Sequence, residues 1–109
     1  MVTMATDRGY IDFIMERLSG LGDVSCRQMM GEYIIYYKDK IAAYVCDDRL
    51  FAKDVPFAEK YMPGAKREPP YPGAKDMLLV EEVEDSEYLK KLFIGMYSEL
   101  PAPKPKKKK

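Results

Sequence analysis

The sequence predicts a single α+β domain, and three features of the chain lead to that fold class. Apolar residues recur at helical spacing near both ends, and the stretch between them is rich in β-branched and aromatic residues. At 109 residues the chain has the usual size of one domain, and its 47% hydrophobic content is enough to offset the conformational entropy lost on folding. We expect the domain to occupy residues 1–100 and a disordered tail rich in Pro and Lys to occupy residues 101–109.

The first helix is predicted to begin after Thr6, because a threonine hydroxyl can accept a backbone N–H in the first helical turn. Gly20 and Gly22 are expected to end it. Between these limits lies one apolar stripe at helical spacing, formed by Tyr10, Phe13, Ile14, Leu18 and Leu21.

The middle of the chain is predicted to form an antiparallel meander. Residues 24–37 are expected to make one long bent strand or two short strands, with Gly31 permitting a bulge or bend. Residues 38–40 form a short polar turn into a strand over residues 41–46. The dipeptide Asp47-Asp48 then turns the chain into a further strand over residues 49–53.

The second half of the chain begins with a short helix at Pro56, since proline is accepted in a first helical turn. Residues 63–75 contain four prolines and two glycines, which predicts an irregular connection with room for a short strand. A strand over residues 77–80 follows, and Asp85 or Ser86 caps a last helix. The apolar stripe of that helix is the clearest in the chain and consists of Leu89, Leu92, Phe93, Met96, Tyr97 and Leu100.

The predicted core combines the two helical stripes with residues from the strands. Its members are Phe13, Ile14, Leu18, Tyr36, Val45, Phe51, Leu79, Leu92, Phe93 and Met96. Cys26 and Cys46 are expected to be reduced thiols packed in this core, because a domain with this much apolar material needs no disulfide framework. We expect a cytoplasmic protein without a membrane partner, since no apolar run approaches the ~18–20 residues of a membrane span.

Catalysis is not expected. The chain contains no histidine, which removes the commonest general base, and its two distant cysteines cannot supply a structural zinc site. Asp47 and Asp48 fit a polar turn better than a cation site, and the acids of residues 81–87 fit the start of the last helix, where negative charge is favourable. No phosphate-binding glycine motif occurs. We therefore predict no catalytic residue, no metal and no cofactor.

Two groups of residues are candidates for contact with a partner. Lys66, Arg67, Tyr71 and Lys75 form a basic and aromatic group on the proline-rich connection, where the alternative is an ordinary solvated loop. The strand tyrosines form the second group, Tyr33, Tyr36, Tyr37 and Tyr44. Their rings can stack nucleic-acid bases. Because few basic residues accompany them, the favoured interpretation is that alternate tyrosines pack under the helices while the others fill a dimer interface or shield the sheet.

The charges divide between the body and the tail. Five of the 18 basic residues lie in the tail, which leaves 13 basic against 18 acidic residues in residues 1–100. The candidate nucleic-acid contacts are these tail residues, Lys104, Lys106, Lys107, Lys108 and Lys109. An acidic body disfavours binding of phosphates by the folded part.

Three segments resemble the amino-terminal domain of the TfoX/Sxy competence regulators: RQMMGEYIIY at residues 27–36, DDRLFAK at residues 47–53 and YPG at residues 71–73. The family pattern in the first segment is R-x-M-F-G-G-Y-G-I-Y, from which Glu32 and Ile34 depart by replacing glycines. The resemblance extends over residues 10–97. It implies a two-layer fold with an antiparallel sheet and helices in the order α-β-β-β-α-β-β-α, and no catalytic residues.

Longer relatives carry a second, carboxy-terminal domain and act in switching on competence genes for DNA uptake. The resemblance therefore implies a small regulatory or adaptor module. We expect it to act by contacts with an unknown protein partner, and as a homodimer. Weak nucleic-acid binding through the basic tail is the alternative.

Overall fold

Four consecutive antiparallel strands form the middle of the chain in the computed structural model, which describes residues 8–29, 32–70 and 73–100. They are β1 (Val24–Met29), β2 (Glu32–Tyr37), β3 (Lys40–Cys46) and β4 (Arg49–Ala52). Residues 24–37 thus make two short paired strands, which was one of the two alternatives. The predicted order has three strands before the second helix, whereas the structure has four. The Gly31 bend and the Thr6 cap lie outside the described residues.

Both polar turns of the meander are confirmed, although neither contains glycine. Lys38 has a φ of 59°, and Asp47 and Asp48 have φ values of 55° and 56°. In the second turn both central residues have positive φ, which matches the right-handed twist of a two-residue hairpin, and aspartate tolerates this conformation better than most residues. In the first turn only the first central residue, Lys38, has positive φ.

The second half of the chain adds α2 (Pro56–Tyr61), β5 (Arg67–Glu68), β6 (Met77–Val80) and α3 (Ser86–Met96). Strand β6 pairs with both β4 and β5, which gives one six-stranded antiparallel sheet in the order β1-β2-β3-β4-β6-β5. The α+β class is confirmed.

In the described part of the chain, three α-helices lie on one face of this sheet. The first is α1 (Arg8–Arg17), after which Gly20 lies in a short 3-10 turn and Gly22 takes a φ of 70°. In α3, the Asp85 carboxylate accepts a hydrogen bond from the Tyr88 N–H, as expected of a cap. None of the described helices is long and apolar enough to cross a membrane.

The main core lies between the helices and the sheet. The predicted members found in it are Ile14, Leu18, Val45, Leu92, Phe93 and Met96, all with no exposed surface. Phe13 packs against this core but is only half-buried, and the Arg17 guanidinium lies 4.5 Å from the centre of its ring. Tyr36 and Leu79 are also half-buried, and Phe51 is buried in a separate cluster. These three belong to the other face of the sheet.

Candidate partner-binding surfaces

The face of the sheet that turns away from the helices carries a row of apolar side chains. Ile34 pairs with Tyr44, Tyr44 with Phe51, and Phe51 with Leu79, so the row crosses β2, β3, β4 and β6. Directly opposed residues of antiparallel strands point to the same face, and their sequence neighbours point to the other. We call this row, Ile34–Tyr44–Phe51–Leu79, the open-face row.

A small cluster surrounds the centre of the open-face row. Cys46, Phe51 and Met77 are buried in it, and Tyr44 and Leu79 pack against it while remaining half-exposed. It contains no residue of a described helix, whereas the main core contains residues of all three. The open face is therefore apolar at its centre without being covered by the helical layer.

Charged side chains border the row. The Arg49 guanidinium lies 5.0 Å from the centre of the Phe51 ring and 2.9 Å from the Glu68 carboxylate. At the other end, the Lys53 ammonium lies 5.8 Å from the Tyr44 ring. An apolar centre with a charged rim is the usual arrangement of a protein–protein contact surface.

Cys46 is not set up as a nucleophile. Burial, followed by the negative charge of Glu32, raises the pKa of its thiol to about 12, against a smaller opposing effect of Arg49. The thiol is therefore protonated at neutral pH, and the thiolate is the reactive form of cysteine. Burial also raises the pKa of the Glu32 carboxyl.

Cys26 corrects one prediction, because it is exposed rather than packed in the core. It lies in β1, at the edge of the sheet, where only one neighbouring strand can cover it. Its pKa is raised by partial burial and by Asp12, against the lowering effect of Arg8. Both cysteines are free thiols, as predicted.

Two of the loop cations, Lys66 and Lys75, line different clefts. Lys66 lines a cleft of about 480 Å³ with Tyr61 and Tyr88, whereas Lys75 lines a different cleft of about 520 Å³ beside Lys53. The pKa of Lys53 is lowered by burial and by the like charge of Lys75. The tertiary fold thus separates residues that are close in sequence.

Arg67 forms ion pairs with two carboxylates of the same chain. Its guanidinium lies 2.9 Å from the Asp54 carboxylate and 3.2 Å from that of Glu59, and these bonds raise its pKa. Tyr71 lies outside the described residues, so the proposed contact group stays a prediction. The tail lysines also lie outside the described part of the chain.

The strand tyrosines divide between the two faces. Tyr33 and Tyr37 are buried in the main core, and Tyr36 and Tyr44 are half-buried on the open face. Packing under the helices therefore accounts for one pair. Within the described ranges, no group of three or more acidic or cysteine side chains is placed to hold a metal ion.

Sequence reasoning missed the open-face row as a unit. The available signal was the continuous run Tyr33 to Tyr37, because a strand apolar at every position has two apolar faces. A strand with one solvated face shows alternation instead. The predicted core residues Tyr36, Phe51 and Leu79 belonged to this second face.

Comparison with known proteins agrees with the resemblance in the sequence. The family model of the TfoX N-terminal domain matches residues 16–95. A protein of Spirochaeta aurantia, described as an uncharacterized 12.7 kDa protein in the trpE 5′ region, is 33% identical over 107 residues. That alignment covers 97% of this chain and 93% of the relative. No solved structure matches the chain.

Proposed function

Since the chain belongs to the TfoX N-terminal domain family, we propose that it is a small regulatory or adaptor module that acts by protein–protein contacts, as a homodimer in the cytoplasm. The family is a regulatory one, which fits a competence or transcription regulator without catalytic chemistry. The observation that carries the proposal is the open face, where the apolar row lies within a charged rim. Two free thiols fit a reducing compartment.

The degree of exposure of the open face favours a reversible contact. Among the described residues, Ile94 on α3 is the single large hydrophobic side chain that is more than half exposed, at 56%. Tyr44 and Leu79 are half-buried by their own neighbours. A surface of this kind tolerates water in the free protein, whereas permanent interfaces are more hydrophobic.

Lys66 and Lys75 remain proposed contacts beside this face, and Tyr71 remains a proposed contact from the sequence alone. Among the described residues, neither lysine has an ion-pair partner, which leaves both free to meet an acidic partner. Arg67 is already bound to two carboxylates, so we assign it a structural part in any such contact.

The test uses two matched lysine substitutions of partly exposed apolar residues. Leu79→Lys changes the open face, and Ile94→Lys changes the exposed surface of α3. A tagged wild-type chain is used to isolate a stoichiometric partner from the native host, and the purified partner is then titrated against each variant.

We expect Leu79→Lys to weaken partner binding at least about tenfold, since burying an unpaired charge in an interface is costly, while Ile94→Lys binds like the wild type. Far-UV circular dichroism and melting curves show that both variants fold. Equal binding by the two variants would place the contact elsewhere and refute the assignment of the open face.

Weak nucleic-acid binding through the tail is the second candidate. The observation in its favour is the sequence of residues 101–109, which contains five lysines and no acid. Lysines on an extended segment can contact phosphates without a folded site. The acidic balance of residues 1–100 opposes such binding, and for that reason it is the second proposal.

A further inference from the structure

The two edges of the sheet differ in how well they are protected. Edge strand β5 is two residues long, whereas edge strand β1 has six residues and no lysine or proline. Its register with β2 runs from Val24–Tyr37 to Met29–Glu32 without a bulge. Residues 25–28 are exposed. Natural edges are usually protected by short length, charged side chains, proline or a bulge, and among these β1 has a single charged residue, Arg27, so most of the strand is open to pairing.

A single hydrogen bond identifies the residues of β1 whose backbone N–H and C=O groups point away from β2. The Lys38 N–H donates to the Asp23 carbonyl across 2.7 Å, one residue beyond the pair of Val24 and Tyr37. That pair is therefore of the non-hydrogen-bonded type. Since the two types alternate, Ser25 and Arg27 bond to β2.

The backbone N–H and C=O groups of three residues, Val24, Cys26 and Gln28, point away from β2. We call these three the outward residues. Within residues 8–29, 32–70 and 73–100, no backbone or side-chain group bonds to their outward N–H and C=O groups. An unpaired backbone edge of this length is a template for one more antiparallel strand.

We propose that the β1 strands of two copies of this chain pair antiparallel, with Cys26 of one copy opposite Cys26 of the other. In this register Val24 lies opposite Gln28, so all three outward residues of each copy are paired. Ser25 lies opposite Arg27, and no like charges face each other. Centring the pair on Arg27 instead would oppose two guanidinium groups, and centring it on Ser25 would leave Gln28 unpaired.

The inference rests on the homodimer in the proposed function and specifies its interface, but it does not depend on the unknown protein partner. Pairing through β1 would join two six-stranded sheets into one. Both open faces would then lie on the same side of the joined sheet, because the two-fold axis is perpendicular to it. The dimer would present two copies of the open-face row to one partner.

The first experiment measures self-association by sedimentation equilibrium for the wild type, Cys26→Pro and the matched control Cys26→Ser. Proline removes the outward N–H and leaves the bonds from β1 to β2 intact, because the Cys26 N–H does not face β2. We expect dimers for the wild type and Cys26→Ser, and at least about tenfold weaker association for Cys26→Pro.

A second pair of variants leaves the backbone unchanged in case Cys26→Pro does not fold. Ser25→Glu places a carboxylate opposite Arg27 of the other copy, and Ser25→Lys places a like charge there. Ser25→Glu should lower the dissociation constant of the dimer and Ser25→Lys should raise it, by a few-fold each. Both shifts should be smaller at high salt.

Cross-linking provides an independent check of the register. Hydrogen-bonded antiparallel pairs have Cα atoms ~5.5 Å apart, which is within disulfide range. Excess oxidised glutathione should therefore convert the wild type, but not Cys26→Ser, into a covalent dimer.

A dimer that is unaffected by Cys26→Pro and both Ser25 variants would overturn the β1 interface while leaving the proposed homodimer standing. A wild type that stays monomeric, or an edge that binds only an extended peptide of another protein, would overturn both the interface and the homodimer. The titration of Leu79→Lys against the isolated partner is decided separately from either result.

Discussion

The two faces of the sheet use similar residues for different purposes. Leu50 and Phe51 are neighbours in β4 and neither has any exposed surface. Leu50 joins a core that includes residues of all three helices, whereas Phe51 joins a cluster of three buried residues. The difference shows that burial alone does not distinguish a folding core from a contact surface. What distinguishes them is how many other elements of the chain complete the packing.

Phe93→Ala on the helix-covered face should have the largest effect on stability. Phe93 has no exposed surface and packs within the main core, with its ring 6.4 Å from that of Tyr37. Truncation of such a residue costs ~3–5 kcal/mol from lost apolar burial and the cavity that remains. Urea unfolding monitored by circular dichroism gives the value.

Phe51→Ala tests the comparison directly, because it removes an equally buried ring from the open face. We expect the unfolding free energy to fall by about 3 kcal/mol or less, at or below the lower end of the range for Phe93→Ala. The reason is that the half-exposed side chains of Tyr44 and Leu79 can move into the space left by the ring. Equal losses for Phe51→Ala and Phe93→Ala would show that the two faces contribute equally to the core.

The sequence was sufficient for the elements whose signals are local. The stripe of α3 as far as Met96, a cap at Asp85 or Ser86 and the two polar turns depend on neighbouring residues, and these were found as predicted, although Tyr97 and Leu100 lie beyond the end of α3. The assignment of strand residues to faces was less successful. The segment Tyr33–Tyr37 is apolar throughout, and a register shift falls between Ile35 and Tyr36, which interrupts the simple alternation.

The surroundings of the loop cations were beyond sequence reasoning for a different reason. Arg67 finds Asp54 and Glu59 only after β5 pairs with β6, and Lys75 comes near Lys53 only through the fold. These contacts join residues far apart in the chain, and no local pattern indicates them. Cys26 likewise required knowledge that β1 is an edge.

Gly95→Ala should have the next largest effect after the two phenylalanine truncations, and it tests the packing of α3 on α2. A Cβ atom at Gly95 would overlap the Phe57 ring. In an open helix the same change would stabilise by ~0.5–1 kcal/mol, because glycine weakens helices. Here we expect a net loss of about 1–3 kcal/mol from overpacking.

Gly20→Ala is the matched control, because the nearest neighbours of its Cβ would be atoms of the flexible Lys90 side chain. Its unfolding free energy should stay within ~0.5 kcal/mol of the wild type. If Gly95→Ala raised the melting temperature, the close approach of Phe57 to α3 would be wrong.

The two thiols should differ in reactivity, which compares the centre of the open face with the edge of the sheet. Cys26 is exposed and Cys46 is buried with a pKa of about 12. A thiol-specific chromogenic reagent should therefore modify one group in the native protein at about pH 8 and two groups after denaturation. Rapid reaction of both thiols in the native protein would contradict the packing around Cys46.

The raised pKa of Cys46 also sets the sign of a pH effect. The folded state holds the thiol proton more tightly than the unfolded state, whose pKa is near 9.0. The resulting stability is fully present below about pH 9 and is lost as the pH rises towards 12. The unfolding free energy of Cys46→Ala should thus fall less steeply over this alkaline range than that of the wild type.

Deletion of residues 101–109 should have the smallest effect on stability. Leu100 is the last described residue of the main core, and the deletion retains it. The melting temperature and the oligomeric state should therefore be unchanged. Five lysines are lost, however, and each phosphate neutralised on duplex DNA contributes about 0.9 to the slope of log K against log salt.

Fluorescence anisotropy with duplex DNA at several salt concentrations measures what the tail contributes. The intact chain should bind weakly, without sequence preference, and lose binding near physiological salt, because the acidic balance of residues 1–100 repels the same phosphates. The truncated chain should not bind at any salt concentration. Tight and sequence-selective binding that survives the deletion would require a nucleic-acid site in the folded body, and the protein-contact proposal would then give way to it.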